Sequence, residues 1–271
     1  MNSVLSPAQT EAPRWPHKPD AEHAVELRGL GLSIGGHEIL RNIDLTIRKG
    51  TTTAIIGPSG SGKTTLLRCV NYLACPTAGE VWVDGLIVGQ SERNGRLVPA
   101  HEKLLRLHRR QTGMVFQTFN LFRNLTILEN VAFAPVSAGL CSRAEAEERA
   151  RRLVSRVGLS HKLDCLPAQL SGGQQQRIAV ARALAMQPKV MLFDEATSAL
   201  DPELSRDVLL LMQELAEEGL TMMVVTHEMS FARDIAHEVV FMENGSIHAQ
   251  APPEQLFSER APDRVRAFLS A

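Results

Sequence analysis

The run Gly57-Pro58-Ser59-Gly60-Ser61-Gly62-Lys63-Thr64 has the spacing G-x-x-x-x-G-K-[ST] and lies between an apolar stretch and a helix-forming one. A chain of phosphates needs backbone N–H groups turned toward it, which glycines allow without steric clash. It also gains from the positive end of the helix that follows. Lys63 then reaches the outer phosphates and the Thr64 hydroxyl is a ligand for Mg2+, with Thr65 beside them among the binding candidates. The plain alternative, a Gly-rich turn, does not require a strand before it and a helix after it, and both are present.

A second run, "VMLFDEATSALD" (190–201), puts Asp194 and Glu195 after four apolar residues. One carboxylate there can hold a Mg2+ shell, and its neighbour can polarise an attacking water. Alone, Asp-Glu at a strand end reads as a solvated loop. Downstream of a phosphate loop it is the second half of a nucleoside triphosphatase. The third run is Leu170-Ser171-Gly172-Gly173-Gln174, in which Ser171 and Gln174 are spaced as a capping box for the helix "QQQRIAVARALAM". Capping does not call for two glycines, which weaken a first helical turn. They let an anion approach unpaired N–H groups. One loop already holds the nucleotide, so a second anion-binding helix start implies a second face on the same phosphates.

These groups need a frame. From Ala24, "AVELRGLGLSI", a Gly35-Gly36 turn and "EILRNIDLTI" alternate as a hairpin or meander, and Thr52–Ile56 is a strand running into the phosphate loop and its helix. "GEVWVDG" (79–85) predicts a strand pair, with the polar stretch to about Pro99 as its loop. From about Leu125 to Pro188 the pattern is helical, with capping boxes Thr126/Glu129 and Ser142/Glu145 and a helix end at Gly158. "KVMLF" (189–193), "TMMVV" (221–225) and "EVVFM" (238–242) alternate with helix-length segments, which predicts an α/β fold with a parallel sheet covered on both faces. Residues 1–23, with Pro7, Pro13, Pro16 and Pro19, read as a flexible tail.

Composition narrows the options. Lys and Arg number 29 against 30 Asp and Glu, a net charge of −1, which argues against a nucleic-acid binder working through a basic field. No apolar run approaches the about 18 residues that cross a bilayer, and the N-terminus has no basic start followed by an apolar block. Cys69, Cys75, Cys141 and Cys165 lack metal-binding spacing, so reduced thiols and a cytosolic compartment are expected.

"LSGGQ" together with the phosphate loop resembles the ATP-binding subunit of an ABC transporter over about residues 24–270. In family order, Gln117 in "VFQ" resembles the Q-loop, "SALD" ending at Asp201 the D-loop, and His227 in "VVTHEM" the switch histidine. Each has a local alternative: a surface glutamine, a helix N-cap before Pro202, and a boundary histidine. The resemblance implies a P-loop NTPase (RecA-like) core made of 24–116 and 187–271, with an N-terminal antiparallel β subdomain, and a helical signature subdomain at 117–186. It implies an ATPase using ATP and Mg2+, with Glu195 as base and His227 and Gln117 at the γ-phosphate. Thr64, Gln117 and Asp194 would hold Mg2+, while residues 57–65, Ile34, Ser171, Gly172, Gly173, Gln174 and Asp201 would bind nucleotide.

Two copies would pair head to tail on the cytoplasmic face of the inner membrane. They would work with integral permease subunits, indirectly with a solute-binding protein, and with no nucleic acid. "FNLFRNLTILENV" (119–131) and the run from Leu170 to Leu204 resemble the importer group for histidine, glutamine, arginine and related solutes. Ile34 stands where the family commonly has an adenine-stacking aromatic, Ala196 where Pro is frequent, and "APPEQLF" (251–257) replaces a Gly-Thr-Pro-Glu type of segment. The rivals are a soluble ABC-type ATPase of DNA repair or translation, which carries coiled-coil insertions or tandem cassettes, and a P-loop kinase, for which "LSGGQ" has no use.

Overall fold

The computed structural model describes residues 19–93 and 96–270; residues 1–18 of the expected tail lie outside them. Strands β1 (His23–Ile34) and β2 (His37–Arg48) form the anticipated antiparallel hairpin around Gly35-Gly36. Its apolar residues, among them Leu27, Leu30, Leu40, Ile43 and Ile47, are buried. Strand β3 (Thr52–Ile56) is buried along its whole length and leads through the phosphate loop into helix α1 (Lys63–Val70). Strands β4 (Ala78–Val83) and β5 (Leu86–Ile87) complete an antiparallel sheet of order β2-β1-β4-β5.

The polar stretch that follows departs from the sequence reading. It holds a hairpin of β6 (Gln90–Arg93) and β7 (Arg96–Pro99), then helix α2 (Glu102–Arg110) and strand β8 (Thr112–Val115). β6 and β7 show no apolar alternation, and a four-residue strand containing Gly113 is too short to show a period.

Helices α3 (Ile127–Ser137), α4 (Arg143–Arg156) and α5 (Gly172–Ala185) each start at the capping box read from sequence. At α3 the Thr126 hydroxyl accepts from the Glu129 amide at 3.2 Å while the Glu129 carboxylate accepts from the Thr126 amide at 2.8 Å. The chain then alternates β9 (Val190–Asp194), α6 (Pro202–Glu217), β10 (Thr221–Val225), α7 (Met229–Asp234), β11 (Glu238–Glu243) and β12 (Ser246–Ala251), and closes with α8 (Pro253–Leu256) and α9 (Asp263–Leu269).

The second sheet has the order β12-β11-β3-β10-β9-β8, and β8 to β11 pair in parallel through β3. The unanticipated β12 closes one edge, antiparallel to β11. Side-chain alternation sends one residue set to each face. Met191, Phe193, Met222 and Val224 join the apolar cluster that also holds residues of α3 to α6, whereas Leu192, Met223 and Val225 join α1 and the antiparallel sheet. A third cluster packs Val239 and Phe241 of β11 with residues of α7 to α9. Both faces are thus covered, as a parallel sheet requires. The strands β3, β10, β9 and β8 are neighbours and parallel, so their C-terminal ends open on one edge, where such sheets bind ligands.

Candidate active site

Four loops leave that edge, and each carries residues that the sequence singled out. After β3 the phosphate loop turns through Gly62, at φ +99°, into α1. A Cβ at Gly62 would also sit 2.9 Å from Leu40 Cδ2, so the position is closed to larger residues on both counts. Lys63 is buried, and its Nζ donates to the carbonyls of Gly57 and Pro58, both at 2.9 Å. Burial pulls its ammonium below the ordinary lysine range, against the opposing pull of Glu195 and Asp194. The Ser61 hydroxyl is buried without a partner among the described residues, an orphan that a bound phosphate oxygen would satisfy.

The Thr64 hydroxyl donates to Asp194 Oδ1 at 2.6 Å, so the two proposed Mg2+ ligands meet across α1 and β9. Burial raises the Asp194 carboxyl, while the Thr64 hydrogen bond and the Arg68 charge pull the other way. Among the described residues no cluster of three or more His, Cys, Asp and Glu side chains could hold a metal alone. A hydroxyl and one carboxylate are instead the donor set for Mg2+ that arrives on phosphates.

Glu195 follows Asp194 with φ +49°, an uncommon conformation for a residue with a side chain. Its amide donates to Val225 at 3.0 Å, and its Oε1 lies 3.1 Å from His227 Nε2, just past the end of β10. The β9–β10 pairing sets the strand that leads to His227 beside the strand that carries Asp194. Beyond β8, the exposed Gln117 faces Thr64 and Asp194 across a cavity of about 420 Å3. Arg68 lines the same cavity and was not singled out from sequence. Its signal was its place four residues after Thr64, on the same face of α1.

Other candidates stand apart. Ser171 caps α5 but shares no hydrogen bond with its own phosphate loop among the described residues. Gly172 and Gly173 have a packing role that the sequence argument lacked: a Cβ at either would sit 3.0 Å from Leu200 Cδ2 or Leu204 Cβ respectively. Ile34 is 60% exposed at the hairpin end. Asp201 occupies the N-cap of α6 ahead of Pro202, but its side chain makes no capping hydrogen bond, contrary to expectation. The stretch 117–128 contributes Asn120 and Phe122 to a groove of about 720 Å3 shared with Arg110, Phe133 and Met186.

A family profile described as ABC transporter matches residues 40–198. The arginine transport ATP-binding protein ArgV of Corynebacterium glutamicum is 52% identical over 237 residues, covering 88% of this chain and 93% of that protein. The L-cystine import ATP-binding protein TcyC of Bacillus subtilis is 50% identical, covering 91% and 97%. Among solved structures, the ATP-binding cassette MJ0796, in a dimeric post-hydrolysis state bound to ADP and Pi, superposes with a TM-score of 0.72 at 34% identity, covering 84% of this chain and 98% of that one. The strand-end cleft, the sheet order and these likenesses agree: the chain belongs to the ABC transporter family, as an ATP-hydrolysing cassette.

Proposed function

We propose that this chain powers the uptake of a polar amino acid or related solute through separate membrane subunits. Its likeness to ArgV and TcyC, named for arginine transport and L-cystine import, supports that solute class. Residues 24–116 and 187–271 act as the nucleotide-binding core and 117–186 as the helical signature subdomain. No helix among the described residues is long and apolar enough to cross a membrane. In this reading the cassette sits peripherally on the inner membrane's cytoplasmic face, with permease segments entering the groove beside Phe122 and Phe133.

The Glu195–His227 contact carries the mechanism. Lys63 and the amides of residues 57–65 bind the triphosphate, and Ile34 lies against the adenine. Glu195 orients a water in line with the γ-phosphate and takes its proton on the carboxylate. His227 fixes the Glu195 carboxylate by hydrogen bond and meets the γ-phosphate with Gln117. Thr64, Asp194 and Gln117 would hold Mg2+, which neutralises charge on the phosphates when bound. Ser171, Gly172, Gly173 and Gln174, absent from their own chain's cleft, close over the nucleotide of a second copy paired head to tail, with Asp201 at the seam. The dimeric form of MJ0796 supports that pairing.

The test is Glu195→Gln in the full chain. General-base help is typically worth about 10²–10⁴-fold, so hydrolysis falls by that order while ATP binding persists and the chain accumulates as an ATP-dependent dimer in size-exclusion chromatography. Hydrolysis at the parent rate removes Glu195 from the role of base.

A further inference from the structure

Gln176 has no exposed surface, and its Oε1 is buried without a partner among the described residues. A buried polar group left half satisfied costs stability, and an apolar side chain of similar size would avoid that cost. The half that is satisfied is informative. Gln176 Nε2 donates to the carbonyl of Phe116 at 3.0 Å, the residue directly before Gln117. Two turns further along α5, Arg182 donates to the carbonyl of Asn120 at 2.6 Å and reaches that of Phe119 at 3.4 Å. Gln117, between these anchors, makes no hydrogen bond among the described residues and faces Thr64 and Asp194 across open space.

The backbone around Gln117 is therefore strapped to α5. The same helix begins at Ser171 and Gly172, the groups read above as facing the partner's nucleotide, and its axis is stiffened by helical hydrogen bonds throughout. We propose that Gln176, seconded by Arg182, is a positioning residue that makes Gln117 at a chain's own ATP and Ser171–Gly173 at the partner's ATP move as one body. A shift of α5 toward the partner's phosphates pulls on the Phe116 carbonyl and carries Gln117 with it. This inference rests on the head-to-tail pairing proposed above.

Gln176→Leu in the full chain separates this role from packing. Leu is close to Gln in volume, removes both the tie and the orphaned oxygen, and leaves every proposed ATP-contacting residue in place. The expected result is a thermal midpoint equal to or above the parent's and ATP affinity within about twofold. Against that, kcat falls about tenfold with little change in KM, and the ATP-driven dimer of Glu195→Gln weakens by a similar factor when Gln176→Leu is added; misplacing a reacting group slightly has effects of this size and larger. Arg182→Lys, which keeps a charge but loses the two-carbonyl fork, serves if Gln176→Leu does not fold, and the same kcat loss is expected of it. A parent-like kcat and a parent-like dimer in the folded variant overturn the tie while leaving the pairing intact. If Glu195→Gln alone forms no ATP-dependent dimer, the pairing itself fails, and the tie falls with it.

Discussion

Ile34 stands exposed at the tip of the β1–β2 hairpin, and in the adenine role proposed for it an aliphatic side chain would provide no ring to stack. Base stacking on an aromatic ring is typically worth about 1–3 kcal/mol. Ile34→Tyr is therefore expected to tighten ATP binding about tenfold by isothermal titration with hydrolysis blocked, and an unchanged Kd removes residue 34 from the adenine site. The residues most legible in sequence were those whose spacing the chemistry fixes. Phosphate amides, Lys63 and Thr64 must be contiguous, and Asp194 and Glu195 must follow a buried strand. Arg68 offered only its place one turn after Thr64, a spacing that gains meaning once the cavity beside Gln117 is seen. Of the glutamines 174–176 the sequence distinguishes only Gln174, and only the fold shows Gln176 as the fully buried one whose amide reaches Phe116.

Helix α2 is tied to the segment just after β5 by a buried imidazole. His108 is buried, and its Nδ1 accepts from the Gly89 amide at 3.2 Å, which requires that nitrogen to be unprotonated. Burial holds the ring below its ordinary value of 6.5. On acidification the unfolded chain takes up this proton first, so the contribution is present above about pH 6.5 and is lost as pH falls toward the folded value. His108→Gln is expected to flatten the pH dependence of the urea midpoint between about pH 7.5 and 5.5, by at most about 1.4 kcal/mol per pH unit, the limit for one proton. A parent-like slope in the variant means that another group carries the dependence. The β6–β7 hairpin was not legible because its polar strands carry no apolar period, whereas α2 does present Leu104, Leu105 and His108 on one face at helical spacing, a signal that the sequence reading passed over. The capping boxes of α3, α4 and α5 were legible because they are local, whereas β8 and β12 earn their strand conformation only from β9 and β11.

At the scale of the whole molecule, a groove of about 720 Å3 lies where α2, α3, α5 and β8 meet, and it combines aromatic with basic residues. Phe122 and Phe133 stack edge to face with centroids 5.3 Å apart, and Arg182 lies over Phe122 at 5.8 Å. Phe133 is 49% exposed although large and apolar, the profile of an anchor for a docked partner. Phe133→Asp is expected to lower solute uptake by the assembled transporter about tenfold, while hydrolysis by the chain alone changes far less. Equal loss of both would instead mean damage to the fold. One apolar cluster runs without a break from Ile127, Ala146 and Val154 in the helical region to Val115, Phe193 and Met222 in the sheet. That continuity caps the working stroke. A wide swing of the helices would tear open a void in shared oil, so the cassette can transmit force only through slight sliding, and a fragment spanning the helices alone would be left with a raw, uncovered flank.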